Sequence, residues 1–241
     1  MSFMEKRTLN HHASTVLAKC EQTGEFILGE YDPGYPVVRN KHWIGRAKLL
    51  GGNHFYGKDS DISPYSTLNR EINEEFSGEQ ASKDEIAGER NIEKFAKQED
   101  INYVRKILLD TEPLQDYFLY HPGQGDTQGA FVIQSVFRAR DVTKDAIDTV
   151  KRYNLDGGSL TNEGLVVVKS LKDLKQGHPF CQGITGLVIG QTEGVHVASP
   201  CDDDFLFEPT GLPRDSYEAY SDRFQYRDHT PPPLPLRGES E

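Results

Sequence analysis

The chain has 241 residues, 36% of them hydrophobic and 27% charged, with 38 acidic side chains against 27 basic ones and a net charge of −11. That length and apolar content suit a globular core that needs no staples, while the acidic balance and the lack of Lys/Arg runs argue against a broad nucleic-acid surface or docking on anionic lipid. Cys20, Cys181 and Cys201 are too few and too far apart for a zinc knuckle or a disulfide framework, and without a signal-like N-terminus or an apolar run of about 18 residues the expected setting is a reducing cytoplasm with no membrane partner.

Residues 1–24 are polar and weakly patterned and read as an N-terminal segment ahead of the folded domain. Short apolar runs between 25 and 50 are broken by the turn-rich stretch Tyr31-Asp-Pro-Gly-Tyr-Pro36. Trp43 to Leu50 then reads as a strand running into Gly51-Gly52. After the loop Asn53 to Asp61, Ser63-Pro64 predicts a helix start, because Ser is a good cap and Pro is tolerated in the first turn. Leu68, Ile72 and Phe76 fall at i, i+4 and i+8, one apolar stripe, and the helix should end near Ser77-Gly78.

Residues 79–112 are highly charged with scattered apolar positions and read as a helical insertion. Tyr117 to Tyr120 and Ala130 to Ala139 read as two β segments around a Gly-rich turn. Asp141 to Tyr153 is a connecting helix or loop, Leu165 to Val168 a strand, and Lys169 to Lys175 a helical turn, while Pro179 to Gly194 is ambiguous. From Ser199 the chain turns loop-like. Residues 201–241 are expected to form a C-terminal extension with a disordered Pro-rich tail from Pro231. The folded domain is therefore expected over 25–200, with α/β character.

Helical spacing puts Glu71, Glu74 and Glu75 at i, i+3 and i+4, on a face that leaves Leu68, Ile72 and Phe76 for a core. Stacked carboxylates repel one another on a bare helix, by roughly a few tenths of a kcal/mol. A divalent cation reverses that balance, because Mg²⁺ prefers oxygen ligands and also accepts phosphate oxygens. The Gly51-Gly52 pair permits close backbone approach or positive φ. Taken alone, such a helix face is also an ordinary solvated surface. His54 beside the glycines reads as structural or solvated, His11-His12 as no ligand pair, and Asp202-Asp-Asp204 as a solvated run. No Ser–His or Cys–His nucleophile pattern stands out.

Leu50-Gly51-Gly52 followed by Arg70-Glu71-Ile72-Asn73-Glu74-Glu75 resembles the Nudix family, in which a strand and a Gly-containing loop lead to a helix carrying Arg-Glu-x-x-Glu-Glu. Ala130 to Ala139 resembles the family's central strand, and Glu163 to Leu174 its late loop, strand and turn, so the resemblance spans residues 40–175. It implies an α/β/α sandwich with a mixed, mostly antiparallel sheet and a helical insertion. It also implies Mg²⁺ or Mn²⁺ on Glu71 and Glu75 with Glu74 in support, Arg70 paired with a carboxylate to hold the helix, and Gly51 and Gly52 against substrate. Glu74 or Glu163 would serve as general base. The implied reaction is hydrolysis of a phosphoanhydride in a small nucleotide-type substrate, a nucleoside diphosphate derivative, and many members of the family pair as homodimers. Three departures stand beside this. The loop from Gly52 to Arg70 is longer than the family's, it has no Glu at the usual place (Asp59 or Asp61 could substitute), and Ser77 replaces the Gly that ends the helix. The alternatives are a non-catalytic Nudix-like module that binds a nucleotide or a protein, and a structural protein whose acidic helix is a solvated face.

Overall fold

A computed structural model describes residues 7–9, 11–30, 45–54, 61–79, 94–121, 130–162, 164–175, 183–195, 197, 206–221 and 224–226. After a short strand β1 (Arg7–Leu9), β2 (His11–Cys20) and β3 (Glu25–Glu30) form an antiparallel hairpin, turning at Gly24 with φ of 69°. The two strands pair only near that turn, Ala18–Cys20 against Ile27–Glu25. Beyond it they diverge, and β4 (Ala47–Lys48) and β5 (Leu50–Asn53) fill the fork. β4 lies on β3 at Gly29 and Glu30, and β5 lies on β2 from Ala13 to Val16. The single strand expected over Trp43 to Leu50 is thus two short strands that change partner at Leu49, whose N–H donates to Thr185 Oγ1 at 3.1 Å; residues 43 and 44 lie outside the described residues.

On its other edge β2 runs parallel to β7 (Ala130–Ala139), His11 opposite Val132 through Leu17 opposite Arg138. β7 pairs antiparallel with β6 (Thr111–His121), which pairs in turn with β9 (Leu206–Gly211), while β8 (Leu165–Ser170) covers the outer edge of β3. Among the described residues these eight strands form one mixed sheet, in which β2–β7 is the one parallel pair. β1 pairs separately, in parallel, with β10 (Phe224–Tyr226).

Helices cover both faces. On one, α1 (Pro64–Glu75), α2 (Gln98–Leu109) and α3 (Lys144–Asp156) pack with Val16, Ala18, Ile27 and Phe137. On the other, α4 (Leu171–Lys175) and α5 (Gly183–Glu193) pack with Leu17, Phe26, Leu28 and Val136. Alternate residues of β2 and β3 go to opposite layers, as the two-residue strand period requires. The chain is therefore an α/β protein. No helix among the described residues is long and apolar enough to cross a membrane.

α1 starts and ends as its sequence predicts. Ser63 Oγ accepts from Ser66 N–H, Ser66 Oγ accepts from Ser63 N–H, and Pro64 opens the first turn. Leu68, Ile72 and Phe76 are wholly buried. Each contributes about 1.5–3 kcal/mol of apolar burial.

Several expectations need correction. Residues 1–24 are not merely a polar lead: His11–Cys20 is a central strand, buried from His12 to Ala18. Burial on both faces removes the alternation that marks a strand, and its polar side chains His12, Ser14 and Thr15 lie inside. Within 79–112, helix α2 buries Ile101, Val104 and Leu108, and the expected helical insertion is cut short by a strand that begins at Thr111 despite Pro113, where the ladder shifts register. Residues 80–93 lie outside the described residues. Residues 201–241 include strand β9 and the core tyrosines Tyr217 and Tyr220; the Pro-rich tail lies outside the described residues.

Candidate functional site

The two glycines of β5 bring α1 hard against the sheet. At Gly51, with φ of 118°, a Cβ would lie 3.0 Å from Thr15 Cα and 3.2 Å from Leu68 Cδ1 and would run into the Ser14 carbonyl oxygen. A Cβ on Gly52 would occupy the space of the Glu71 carboxylate. The space over both glycines, expected to face substrate, is thus filled by the chain itself. Their absent side chains seat Glu71 on the strand.

Arg70 is the hub. Its Nε donates to Asp61 Oδ1 at 2.9 Å and its Nη2 to Asp61 Oδ2 at 3.0 Å, a two-pronged pair. Nη2 also donates to Glu71 Oε1 and to the Asn53 carbonyl oxygen, each at 2.8 Å, and Nη1 to Glu74 Oε2 at 2.7 Å. The Asp61 side chain has no exposed surface. Burial alone would depress the Arg70 pKa, but the Asp61 hydrogen bonds and the charges of Glu71, Asp61 and Glu74 outweigh it and raise it, so the guanidinium stays charged. Of the two loop aspartates, Asp61 is thus paired with Arg70, and Asp59 lies outside the described residues.

The three glutamates diverge. Residues 74 and 75 are adjacent, hence about 100° apart around the helix axis. Glu74 points outward, its side chain 53% exposed and paired with Arg70. Glu75, on the opposite side from solvent, is only 3% exposed, with Lys48 Nζ 3.8 Å from its Oε1. The Lys48 stem crosses Gly29 of β3, where a Cβ would lie 3.0 Å from Lys48 Cε. Among the described residues no group of three or more His, Cys, Asp or Glu is gathered so as to hold a metal ion. Glu71 and Glu75, one helical turn apart, offer oxygen donors, the ligand type a hard cation prefers.

The C-terminal end of α1 is closed by Asn162, whose N–H donates to the Glu75 carbonyl oxygen and whose Nδ2 donates to that of Glu74, each at 2.9 Å. The next residue, Glu163, lies outside the described residues.

Beyond the N-terminal end of α1 lies a group the sequence reading missed. His54 Nε2–H donates to the Asp61 carbonyl oxygen at 3.1 Å, and its ring stacks on Tyr217 with centroids 3.8 Å apart. Burial lowers the His54 pKa, against that hydrogen bond. Deeper still, Ser135 Oγ–H and Tyr220 O–H both donate to the Asp116 carboxylate, each at 2.6 Å. The single Ser135 proton is thereby committed, so Ser135 Oγ accepts from His12 Nε2–H at 2.7 Å. Burial first, then His54 and His11, holds the His12 pKa well below its ordinary value, and burial raises that of Asp116. These are the residue types of a catalytic triad in another order: the serine hydroxyl donates to the carboxylate, and the imidazole donates to the serine instead of accepting its proton. The cluster is structural.

No protein-family model matches the chain, and no curated protein matches it.

Proposed function

We propose that the chain is a Nudix-type hydrolase that uses Mg²⁺ or Mn²⁺ to cleave a phosphoanhydride in a small nucleoside diphosphate derivative. The observation that carries this reading is the Arg70 hub: a buried Asp61 holds Arg70, Arg70 holds Glu71, and Glu71 sits on Gly52 one turn ahead of the buried Glu75. The mixed sheet between two helical layers supports the corresponding sandwich fold.

Glu71 and Glu75 would hold the ion. A divalent ion bound there neutralises pyrophosphate charge and lowers the pKa of an attacking water. Arg70 fixes the direction of Glu71, and Lys48 balances charge at Glu75. Glu74 and Glu163 are the proposed carboxylates for taking the water's proton. Glu74 would have to share its Oε2 with Arg70 while doing so.

The test is a panel of nucleoside di- and triphosphate derivatives with each metal, read by phosphate release. Glu75→Gln should lower kcat about 10²-fold or more with the fold intact, a loss of roughly 2.7 kcal/mol of transition-state stabilisation. A folded wild-type protein that hydrolyses nothing on the panel would overturn the reading in favour of a binding module. One observation favours that second reading: Arg70 already engages both Glu71 and Glu74. Nucleotide binding without turnover would establish it.

A further inference from the structure

We propose that Tyr217 is a positioning residue of this site, part of a strap formed by residues 212–221 that fixes Asp61 and, through it, Arg70 and Glu71; its bearing on metal rests on the reading of Glu71 as a ligand.

Tyr217 is attached at three points. Its N–H donates to the Ile62 carbonyl oxygen at 3.0 Å, its hydroxyl bonds Thr67 Oγ1 of α1 at 2.7 Å, and its ring lies on His54 with an interplanar angle of 24°. His54 directly follows β5, and its N–H donates to the His12 carbonyl oxygen at 2.8 Å. Ile62 directly follows Asp61. Tyr217 therefore holds His54 and the helix that carries the glutamates with its side chain, and Ile62 with its backbone N–H. His54 Nε2–H closes the loop on the Asp61 carbonyl oxygen, while the Asp61 carboxylate carries Arg70.

The strap has its own anchor. Tyr220 bonds the Asp116 carboxylate, and its hydroxyl accepts from Arg214 N–H at 2.9 Å. Both tyrosines pack with Leu9, Phe118 and Ile133. A tyrosine that only filled this cluster could be replaced by any side chain of similar volume. The attachments to His54 and Thr67 require a flat ring and a hydroxyl. Side chains that orient a ligand from behind act in this way, and losing one lowers metal affinity about 10–100-fold.

The test uses the full chain, labelled with ¹⁵N. Arg70 Nε–H, hydrogen-bonded to buried Asp61, reports the hub by its chemical shift and its exchange with water, and the His54 ring protons report stacking by their ring-current shift. Tyr217→Leu should abolish the His54 shift, speed Arg70 Nε–H exchange about tenfold or more, and weaken Mn²⁺ binding, followed by electron paramagnetic resonance, about tenfold. Tyr217→Phe, which keeps the ring and loses the bond to Thr67, should restore the stacking and give an Arg70 exchange rate between those of the wild type and Tyr217→Leu. Phe118→Leu, in the same cluster, should leave both signals in place. A folded Tyr217→Leu with unchanged Arg70 exchange overturns the proposal. Should that variant fail to fold, Thr67→Val removes one of the attachments alone, and unchanged Arg70 exchange there overturns it equally. If the wild-type protein binds no Mn²⁺, the metal reading fails while the two spectroscopic signals still decide the strap.

Discussion

Two polar clusters stand on the same face of the sheet, and they are held in opposite ways. The Arg70 cluster draws on one loop and one helix, residues 53 to 74, and it is ionic, with Glu74 at its wet edge. The His12–Ser135–Asp116–Tyr220 cluster joins positions 123 and 104 residues apart in the chain, is closed by hydroxyl and imidazole donors, and is buried. Local charge pairs tolerate water and can rearrange around a ligand. A buried long-range network does not, because every member left unpaired costs its full desolvation. The first cluster suits chemistry and the second suits holding the fold. Tyr217 stands between them, hydrogen-bonded to α1 and edge-on to His12 at 4.9 Å.

The largest effect should come from breaking the ionic cluster at its buried end. Arg70→Ala strips the guanidinium from a fully buried Asp61 and should cost about 3–5 kcal/mol in urea unfolding. A cost below about 1 kcal/mol would show that Asp61 is not left as an unpaired buried charge. Next come the hydroxyls of the second cluster. Tyr220→Phe removes one donor to Asp116 and should cost about 1–2 kcal/mol, and Ser135→Ala, which removes a donor to Asp116 and the acceptor of His12, up to about 3 kcal/mol. The double variant should depart from additivity, the mark of one network; strict additivity would break it into separate bonds.

The third prediction concerns pH. His12 has its folded pKa below its ordinary 6.5, so its contribution to stability is complete above 6.5 and is lost as pH falls from there towards the folded value. Asp116, raised from 3.8 by burial, works in the other sense: its contribution is complete below 3.8 and is lost as pH rises through its folded value. The wild-type protein should therefore lose stability on acidification below 6.5, by at most about 1.4 kcal/mol per pH unit for the His12 proton. His12→Gln should flatten that decline in urea midpoints measured from pH 7 downward. The smallest effect is at the wet edge. Glu74→Gln should cost about 0.3–0.5 kcal/mol, and the difference should vanish in roughly 1 M salt. A larger, salt-resistant loss would move Glu74 into the buried part of the hub.

What could be read from the sequence follows the same division. The Ser63 cap and the Leu68–Ile72–Phe76 stripe lie within a few turns of one helix, where spacing settles geometry, while the partnership of Arg70 with a carboxylate comes from the family resemblance. How deeply Glu75 is buried depends on how β4 approaches α1, and helix periodicity is silent on that. Strand β2 carries no alternation because both of its faces are covered, and its buried His12 and Ser14 look like surface residues in the sequence. Tyr217 and Tyr220 sit in a polar stretch, and their roles exist only through partners such as Thr67 and Asp116 far along the chain.

The parallel pairing of β2 with β7 has a consequence for how the chain is made. β2 leaves the ribosome well before its partner: the strand along one of its edges follows more than a hundred residues later. Until then the β2–β3 hairpin waits with that edge open, the condition in which nascent chains pair wrongly and recruit chaperones. Contacts of such long range also slow folding. The order of assembly thus runs against the order of synthesis: the glutamate helix can form early, β7 closes the sheet behind it, and the two tyrosines of the strap come after β7. A nascent chain halted before Tyr217 would carry its whole acidic helix and still lack the residue that locks the loop in front of it.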